Sequence, residues 1–434
     1  MGGLKCPTMV PYSLHRPDGG GPLAALERQI LQASAEIEHW FRSQWLSHTP
    51  PFYASVDIRN AGFKLSVVDT NLFPGGFNNL AENALPLTVQ AMSAAVERRC
   101  PDVRRFLLIP ESHTRNTYYL TNVARLAALL KQSGLEVRIG TLIPEIAQPT
   151  PIALPDGAQL LLEPLERRGD RLGVKGFDPC AILLNNDLSA GIPAGLQGIK
   201  GQHIIPPLNA GWSVRRKSQH FSAYSTVVKQ FAERLQIDPW VLDPFYATCS
   251  EVDFQAREGE SCLADNISML LEKIRIKYRE LGVQQTPYVV VKADAGTYGM
   301  GIMMVKDAQE IINLNRKQRN KMAVIKEGLS VSDVLIQEGV PTVEAVDGAV
   351  AEPVVYMVDR YVVGGFYRIH AERGPDENLN APGMKFVPLP FDESCMQPDQ
   401  AIHPDAAPNR YYVYGVIARL ALLAASLELE QAQP

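Results

Sequence analysis

The chain has 434 residues, 46% of them apolar and 21% charged, and a formal net charge of −5. It is an ordinary globular composition, long enough for two or three lobes of roughly 100–200 residues each. The acidity and the lack of a long Lys/Arg run exclude a basic field for nucleic acid; RRK at 215–217 is the nearest approach and suits one small anion.

The first 22 residues read as a loose tail without the apolar block of a signal peptide. Leu23, Leu26, Ile30, Ile37, Trp40 and Phe41 recur at helical spacing and predict a helix over 23–46. PFYASVDIRNAGFKLSVVDTNLFPGGFNNL (51–80) is strand-like, breaks at FPGG, and is crowded with Asn, Asp, Arg and Lys. A helix is expected over 84–99. RRFLLIPE (104–111) then reads as a buried strand. A helix with Val123, Leu126, Ala127 and Leu130 on one face follows and ends at Gly134, and LEVRIGTL (135–142) completes a βαβ unit. Proline-rich sequence marks a connection over 144–155. CAILLNND (180–187) is again an apolar strand ending in polar groups, and the carboxyl ends of parallel strands are where open α/β sheets bind ligands.

A second region begins near 206. Phe221, Tyr224, Val228, Phe231 and Leu235 form one helical stripe. Asp265 is expected to cap a helix carrying Ile267, Leu270, Leu271, Ile274, Tyr278 and Leu281, closed by Gly282. Beyond the glycine-rich stretch at 289–305 come a charged helix (307–322), the strand VLIQEGV (334–340), antiparallel strands at 350–358 and 361–370, a polar loop (372–383), and an Ala/Leu-rich helix near 411–428. No apolar stretch is expected to reach the roughly 20 residues that span a bilayer. The six cysteines (Cys6, Cys100, Cys180, Cys249, Cys262, Cys395) form no CxxC pair, which suggests reduced thiols in a cytoplasmic protein rather than a zinc ribbon or disulfide framework.

VVVKADAGTYGMGIMMV (289–305) places Lys292 at the end of a β-branched run and then supplies Gly296, Gly299 and Gly301. A strand lysine beside glycine-freed backbone amides suits phosphate oxygens. Alone, a hairpin with Lys292 and Asp294 in solvent explains the stretch equally well. Glu338, flanked by Gln337 and by Gly339–Val340, ends an apolar strand and suits a base or ribose through backbone and carboxylate; a solvated acid at a strand end is the plainer alternative. Glu352, Asp359 and Arg368 fall on two paired strands, where Arg368 can stabilise a transferring phosphoryl group. ENLNAPG offers Glu377, Asn378 and Asn380 as hard oxygen ligands for Mg²⁺, although Asn, Pro and Gly also make ordinary turns.

In this order the parts resemble the ATP-grasp enzymes, and NLNAPG is similar to the metal loop of bacterial glutathione synthetases, with Asn378 or Asn380 at the metal-binding asparagine. VDIRNAGFKLSVVDTNLFPGGFNNL and LLIPESHTRNTYYLTNVARL resemble the proteobacterial glutamate–cysteine ligase family related to ATP-grasp proteins, over about residues 23–395. The resemblance implies an α/β fold with a Rossmann-like N-terminal lobe (23–205), a C-terminal ATP-grasp lobe (206–395) and a terminal helix packed on the body (396–434). It implies ATP-dependent joining of glutamate and cysteine through an acyl phosphate, with Mg²⁺. A glutathione-synthetase-like step, another γ-glutamyl ligase and a non-catalytic nucleotide-binding regulator are the alternatives. On that reading Lys292 and Arg368 are catalytic, and Lys292, Gly296, Tyr298, Gly299, Gly301, Gln337, Glu338 and Val340 hold the nucleotide. Glutamate carries two carboxylates and an ammonium, so its pocket needs both signs of charge. Two dense clusters at strand ends supply them: Arg59, Lys64, Asp69, Asn71, Asn78 and Asn79, and then Glu111, His113, Arg115 and Asn116. His113 could act as a general base, which the chemistry does not require. For Asn185, Asn186 and Asp187, and for Arg215, Arg216, Lys217 and His220, ligand contact and a structural or surface role both stand open. The small-molecule partners are glutamate, cysteine and ATP, with no nucleic acid and no membrane.

Overall fold

The computed structural model describes residues 22–112, 116–296, 301–323, 331–389 and 410–432. In chain order, α1 (Pro22–Gln32) and α2 (Ser34–Ser47) lead into β1 (Tyr53–Asn60) and β2 (Leu65–Asn71), then α3 (Leu85–Arg99), β3 (Arg105–Pro110), α4 (Thr117–Gln132) and β4 (Glu136–Thr141). β5 (Thr150–Ala153), β6 (Gln159–Arg168), β7 (Arg171–Val174), β8 (Ala181–Asn185) and β9 (His203–Ile205) follow. The next elements are α5 (Lys217–Leu235), β10 (Tyr246–Cys249), α6 (Glu260–Leu281), β11 (Val289–Ala293), β12 (Ile302–Val305), α7 (Gln309–Ile312) and α8 (Arg316–Met322). The chain then runs through β13 (Val334–Glu338), β14 (Ala345–Val346), β15 (Ala349–Val358), β16 (Tyr361–His370), β17 (Lys385–Pro388) and α9 (Arg410–Gln431).

Among the described residues the strands form three sheets, in a mixed α/β body. In the first, of order β5-β6-β4-β3-β8-β9, neighbours from β6 to β9 run parallel, while β5 and β7 pair antiparallel with β6. The second, β10-β13-β11-β12, is antiparallel. The third, β17-β16-β15-β1-β2, is antiparallel too, and it draws strands from both sides of residue 205. β1 therefore lies directly beside β15, and the β1–β2 hairpin shares one sheet with β15 and β16.

Several elements differ from the sequence expectation. The helix expected over 23–46 breaks at Ala33 into α1 and α2. The charged helix expected over 307–322 is two short helices, because Asn315 and Gln318 form a reciprocal capping box that starts α8 afresh. Asp265 caps nothing: α6 begins at Glu260 behind Gly259 in the left-handed region, one turn earlier, so that Leu263 joins its buried stripe. The proline-rich connection holds β5, which edges the first sheet. Cys249 and Cys262 form a disulfide that ties β10 to α6, so the expectation of reduced thiols fails for this pair; their 13-residue separation gives no motif, and the fold brings their Cα atoms to 6.4 Å. Cys100 and Cys180 are free thiols.

The expectation about apolar length also needs correction. Residues 411–431 are long and apolar enough to cross a membrane, but 89% of the apolar window is buried inside the protein. α9 packs against α5, β1 and β2 and buries Tyr412, Val413, Ile417, Leu420 and Leu423 in the largest apolar cluster. It is hydrophobic all round because it is covered all round.

Candidate active site

A cleft of about 860 Å³, part of it open to solvent, lies between the second and third sheets and the start of α5. Its acidic and basic side chains stand on strands because alternation turns every second residue toward the cleft. On β1 these are Asp57 and Arg59. Cross-strand pairing sets Asp57 opposite Asp69 on β2, with a bulge just after Asp57, and sets Glu352 on β15 opposite Arg368 on β16. A bulge here re-aims side chains, as bulges beside sites commonly do.

Arg368 Nη1 donates to Asp57 Oδ2 (2.8 Å) and to Glu352 Oε1 (2.6 Å), and Arg59 Nε donates to Glu352 Oε2 (2.6 Å). Burial raises the Glu352 carboxyl, but Arg59 and then Arg368 hold it below its ordinary value. Burial pushes Asp57 up despite Arg368, with Glu352 adding to the rise. Arg368 is held above the ordinary guanidinium range: burial opposes this, and Asp57 and Glu352 outweigh it. Its Nε is buried without a hydrogen-bond partner.

Across the cleft, Lys292 Nζ donates to Val68 O (2.8 Å) and Gln337 Oε1 (2.7 Å). Burial, then the charge of Lys217, lowers Lys292 to about 7. Gln337 Nε2 is buried with no partner. Lys217 Nζ donates to both oxygens of Asp69 (2.8 and 3.0 Å). Burial alone would raise Asp69; Lys217 and Lys292 take it far below the carboxylate range. Asp294 accepts from Ser218 N (2.7 Å) and Ser218 Oγ (2.6 Å), so it fastens the end of β11 to the start of α5. Tyr288, Val290, Ile302, Met304 and Val340 make the apolar end of the cleft.

Of the residues singled out from sequence, Arg59, Asp69, Lys292, Gly296, Gln337, Glu338, Val340, Arg368, Asn378 and Asn380 border this one cleft. Gly296 and Gly301 take φ of +100° and +61°, the left-handed conformations for which glycine suits a turn. Tyr298, Gly299, His113 and Arg115 lie outside the described residues.

The remaining residues are elsewhere or otherwise engaged. Lys64 is enclosed and bonded to Glu338 (2.9 Å). Asn71 Oδ1 accepts from Phe73 N, and Asn78 bonds Asn79 within a short turn. Asn116 caps α4 through Tyr119 N (3.1 Å). Glu377 turns its carboxylate to Arg373 (3.0 Å) and Gly374 N (2.6 Å). Arg59, beyond Glu352, holds the carbonyls of Pro375 (2.9 Å) and Glu377 (2.7 Å), so it fastens the Asn378–Asn380 loop. Asn185 is a buried knot joining Tyr53, Pro74 O and Asn122. Arg215 and His220 both bond Glu428, at 2.7 and 3.0 Å, and Arg216 bonds neighbouring carbonyls. Asp359 is buried at the β15–β16 turn, 3.3 Å from Arg98.

Sequence reasoning missed Asp57 as a site residue. The available signal was an acid between Ser55 and Arg59 on the polar face of the alternation in YASVDIRN.

A second cleft of about 960 Å³, partly open solvent, lies at the carboxyl ends of β3 and β8 and is lined by Glu111, Ser112, Leu142, Asn186, Asp187 and Ser189. It sits where the connections from β3 and β8 leave in opposite directions, a usual place for ligands in such sheets.

The family model described as "Glutamate-cysteine ligase" matches residues 27–429. A 1.90 Å crystal structure from Methylobacillus flagellatus KT, of a protein provisionally named a gamma-glutamylcysteine synthetase, is 62% identical, with a TM-score of 0.89 over 95% of this chain and 97% of that one. Far weaker likenesses include D-alanyl-alanine synthetase A of Vibrio cholerae O1 (12% identity, TM-score 0.35, 74% of this chain and 80% of that one). A glutathione synthetase-like effector of Globodera pallida is comparable (9%, TM-score 0.35, 85% and 80%). Likeness at that level decides nothing about the fold. No curated protein matches the chain.

Proposed function

The chain belongs to the glutamate–cysteine ligase family, and from that premise we propose that the cleft between the second and third sheets is where ATP activates glutamate for attack by cysteine. The product is γ-glutamylcysteine. The γ-carboxylate of glutamate takes the terminal phosphoryl of ATP, and the amine of cysteine then displaces phosphate to form the amide. The observation that carries this reading is the convergence of Lys292, Arg368 and Gln337 on one cleft, the last two each with a buried donor, Nε and Nε2, that has no partner. Unfilled buried donors beside a lysine fit a phosphate-bearing ligand.

On this reading β10–β13 form one half of an ATP-grasp lobe, and the parallel sheet is a Rossmann-like lobe with the second cleft on its ligand-binding edge. The residues also fit Mg²⁺. Among the described residues no three His, Cys, Asp or Glu side chains form a metal cage. Mg²⁺ usually takes one or two protein carboxylates together with nucleotide phosphates. Glu352 with Asn378 and Asn380 would hold it, Asp57 standing beside them, while Glu377 is turned away. When bound, Mg²⁺ neutralises phosphate charge as a Lewis acid. Arg368 and Lys292 orient the phosphoryl group, and Asp57 and Glu352 fix Arg368 in place. Asp69 and Lys217 offer an anion and a cation to a zwitterionic amino acid. ATP, glutamate and cysteine are cytoplasmic metabolites, which puts the enzyme in the cytoplasm.

The test is phosphate release from ATP with amino acids added singly and in pairs. Glutamate with cysteine is expected as the productive pair. Turnover with γ-glutamylcysteine plus glycine instead would assign a glutathione-synthetase-like step, and ATP binding without turnover would assign a regulator.

A further inference from the structure

β13 pairs with β10 through Tyr246↔Gln337 and with β11 through Val289↔Glu338, and it ends there. Glu338 borders the cleft, yet both its carboxylate oxygens are engaged behind it. Oε2 accepts from Lys64 Nζ (2.9 Å), Phe245 N (2.9 Å) and Trp240 Nε1 (3.1 Å), and Oε1 accepts from Trp240 Nε1 (3.2 Å). Lys64 Nζ also donates to Asp243 O (3.0 Å) and lies 4.2 Å above the Trp240 ring. The two charged side chains are 0% and 1% exposed.

Lys64 belongs to the turn between β1 and β2, closed by Ala61 N donating to Lys64 O (2.9 Å). The ion pair therefore joins the hairpin bearing Asp57, Arg59 and Asp69 to the last residue of the strand bearing Gln337. A fully buried ion pair adds little net stability over apolar residues of the same volume. What this one fixes is location. Strand alternation sends Gln337 to the opposite face, where its Oε1 holds Lys292 and its Nε2 is left for a ligand. Two residues later Val340 borders the apolar end of the cleft.

We propose that Lys64 and Glu338 are positioning residues for the nucleotide: their pair fixes where β13 ends and so sets Gln337 and Val340 against the ligand, without touching it. This takes Lys64 out of the glutamate site and the Glu338 carboxylate off the ribose. It rests on the nucleotide reading of the cleft, which calorimetric titration of the unmodified protein with ATP examines by itself: no binding there ends that reading and this proposal together.

Given binding, Lys64 and Glu338 are exchanged together, as Lys64→Met with Glu338→Gln, which keeps volume and leaves no unpaired charge. Trp240→Phe removes the indole donor, at some loss of volume, and keeps an aromatic ring beneath Lys64 Nζ, so it serves as the gentler variant. In the double variant the KM for ATP is expected to rise about tenfold, with the KM values for glutamate and cysteine within about twofold and kcat reduced less than about threefold. Trp240→Phe is expected to raise the ATP KM about threefold. A general loss of fold would move all three KM values or kcat alike. An unchanged ATP KM in the folded variants overturns the proposal, and so does a rise confined to glutamate, which would return Lys64 to the amino acid.

Discussion

Lys292 is 6% exposed and faces three carboxylates, yet burial and Lys217 bring it to about 7. A ligand-free Lys292 lowered that far is partly neutral near neutral pH and then lacks the charge that phosphate needs. Bound phosphates favour the protonated form and restore it. kcat/KM for ATP is thus expected to fall as pH rises through about 7, while kcat, which reports the complex, stays flat there. Lys292→Arg should remove that limb, because guanidinium does not titrate in this range. A limb retained in Lys292→Arg would assign the titration to another group. Lys292→Ala is expected to reduce kcat/KM by about 10²–10³, the usual loss for one preorganised donor in a buried site, measured by steady-state phosphate release. For stability the sign is opposite to that of a paired surface lysine. The folded value lies below the ordinary value of 10.5, so Lys292 makes the fold more stable as pH rises from 7 towards 10.5.

Elements with a strong local period were legible before any coordinates. α4, β3, β8, β15 and β16 stand within a residue or two of their expected bounds, because an apolar stripe or alternation is written into consecutive residues. The strand lysine, the glycines after it and the late arginine were legible as well, each being an odd residue in an apolar setting. Pairing across long separations was not legible. Nothing in YASVDIRNAGFK announces that Arg59 will bond Glu352, 293 residues away, or that Lys64 will meet Glu338. Spacing alone also cannot tell a liganding acid from one held by two arginines. Gly339 shows how tightly β13 is fitted once paired: a Cβ there would meet the Tyr288 ring, 2.6 Å from Cζ and closer still to two other ring carbons. Tyr288 borders the cleft, so Gly339→Ala must displace it or the strand. The expected result is a loss of ATP affinity of about tenfold or more, read by calorimetry. Unchanged affinity would mean that the ring yields away from the ligand.

At the scale of the whole molecule, α9, the start of α5 and the β1–β2 hairpin are held together by buried charge. Glu428, near the end of α9, receives Arg215 Nε (2.7 Å) and Nη2 (3.1 Å) and His220 Nδ1 (3.0 Å), while Arg215 Nη1 donates to Thr70 O (2.7 Å) at the end of β2. One carboxylate thus joins α9, α5 and the hairpin that carries Asp57 and Asp69. Burial acts to raise Glu428, but Arg215 and His220 bring it from its ordinary value of 4.5 to about 2. A depressed carboxylate contributes stability that is present above 4.5 and lost as pH falls towards 2, here roughly 3 kcal/mol. His220, lowered first by burial, resists protonation in the fold and weakens it in the same direction below its ordinary value of 6.5. Denaturant midpoints are expected to decline from pH 6.5 downward, most steeply below 4.5. Glu428→Gln should destabilise the protein at pH 7 by about 3–5 kcal/mol, since it leaves a buried arginine unpaired, and should flatten the steep part of the decline. If the variant instead follows the parent's pH curve with a constant offset, the acid sensitivity belongs to other carboxylates, with Asp69 under Lys217 the next group to exchange.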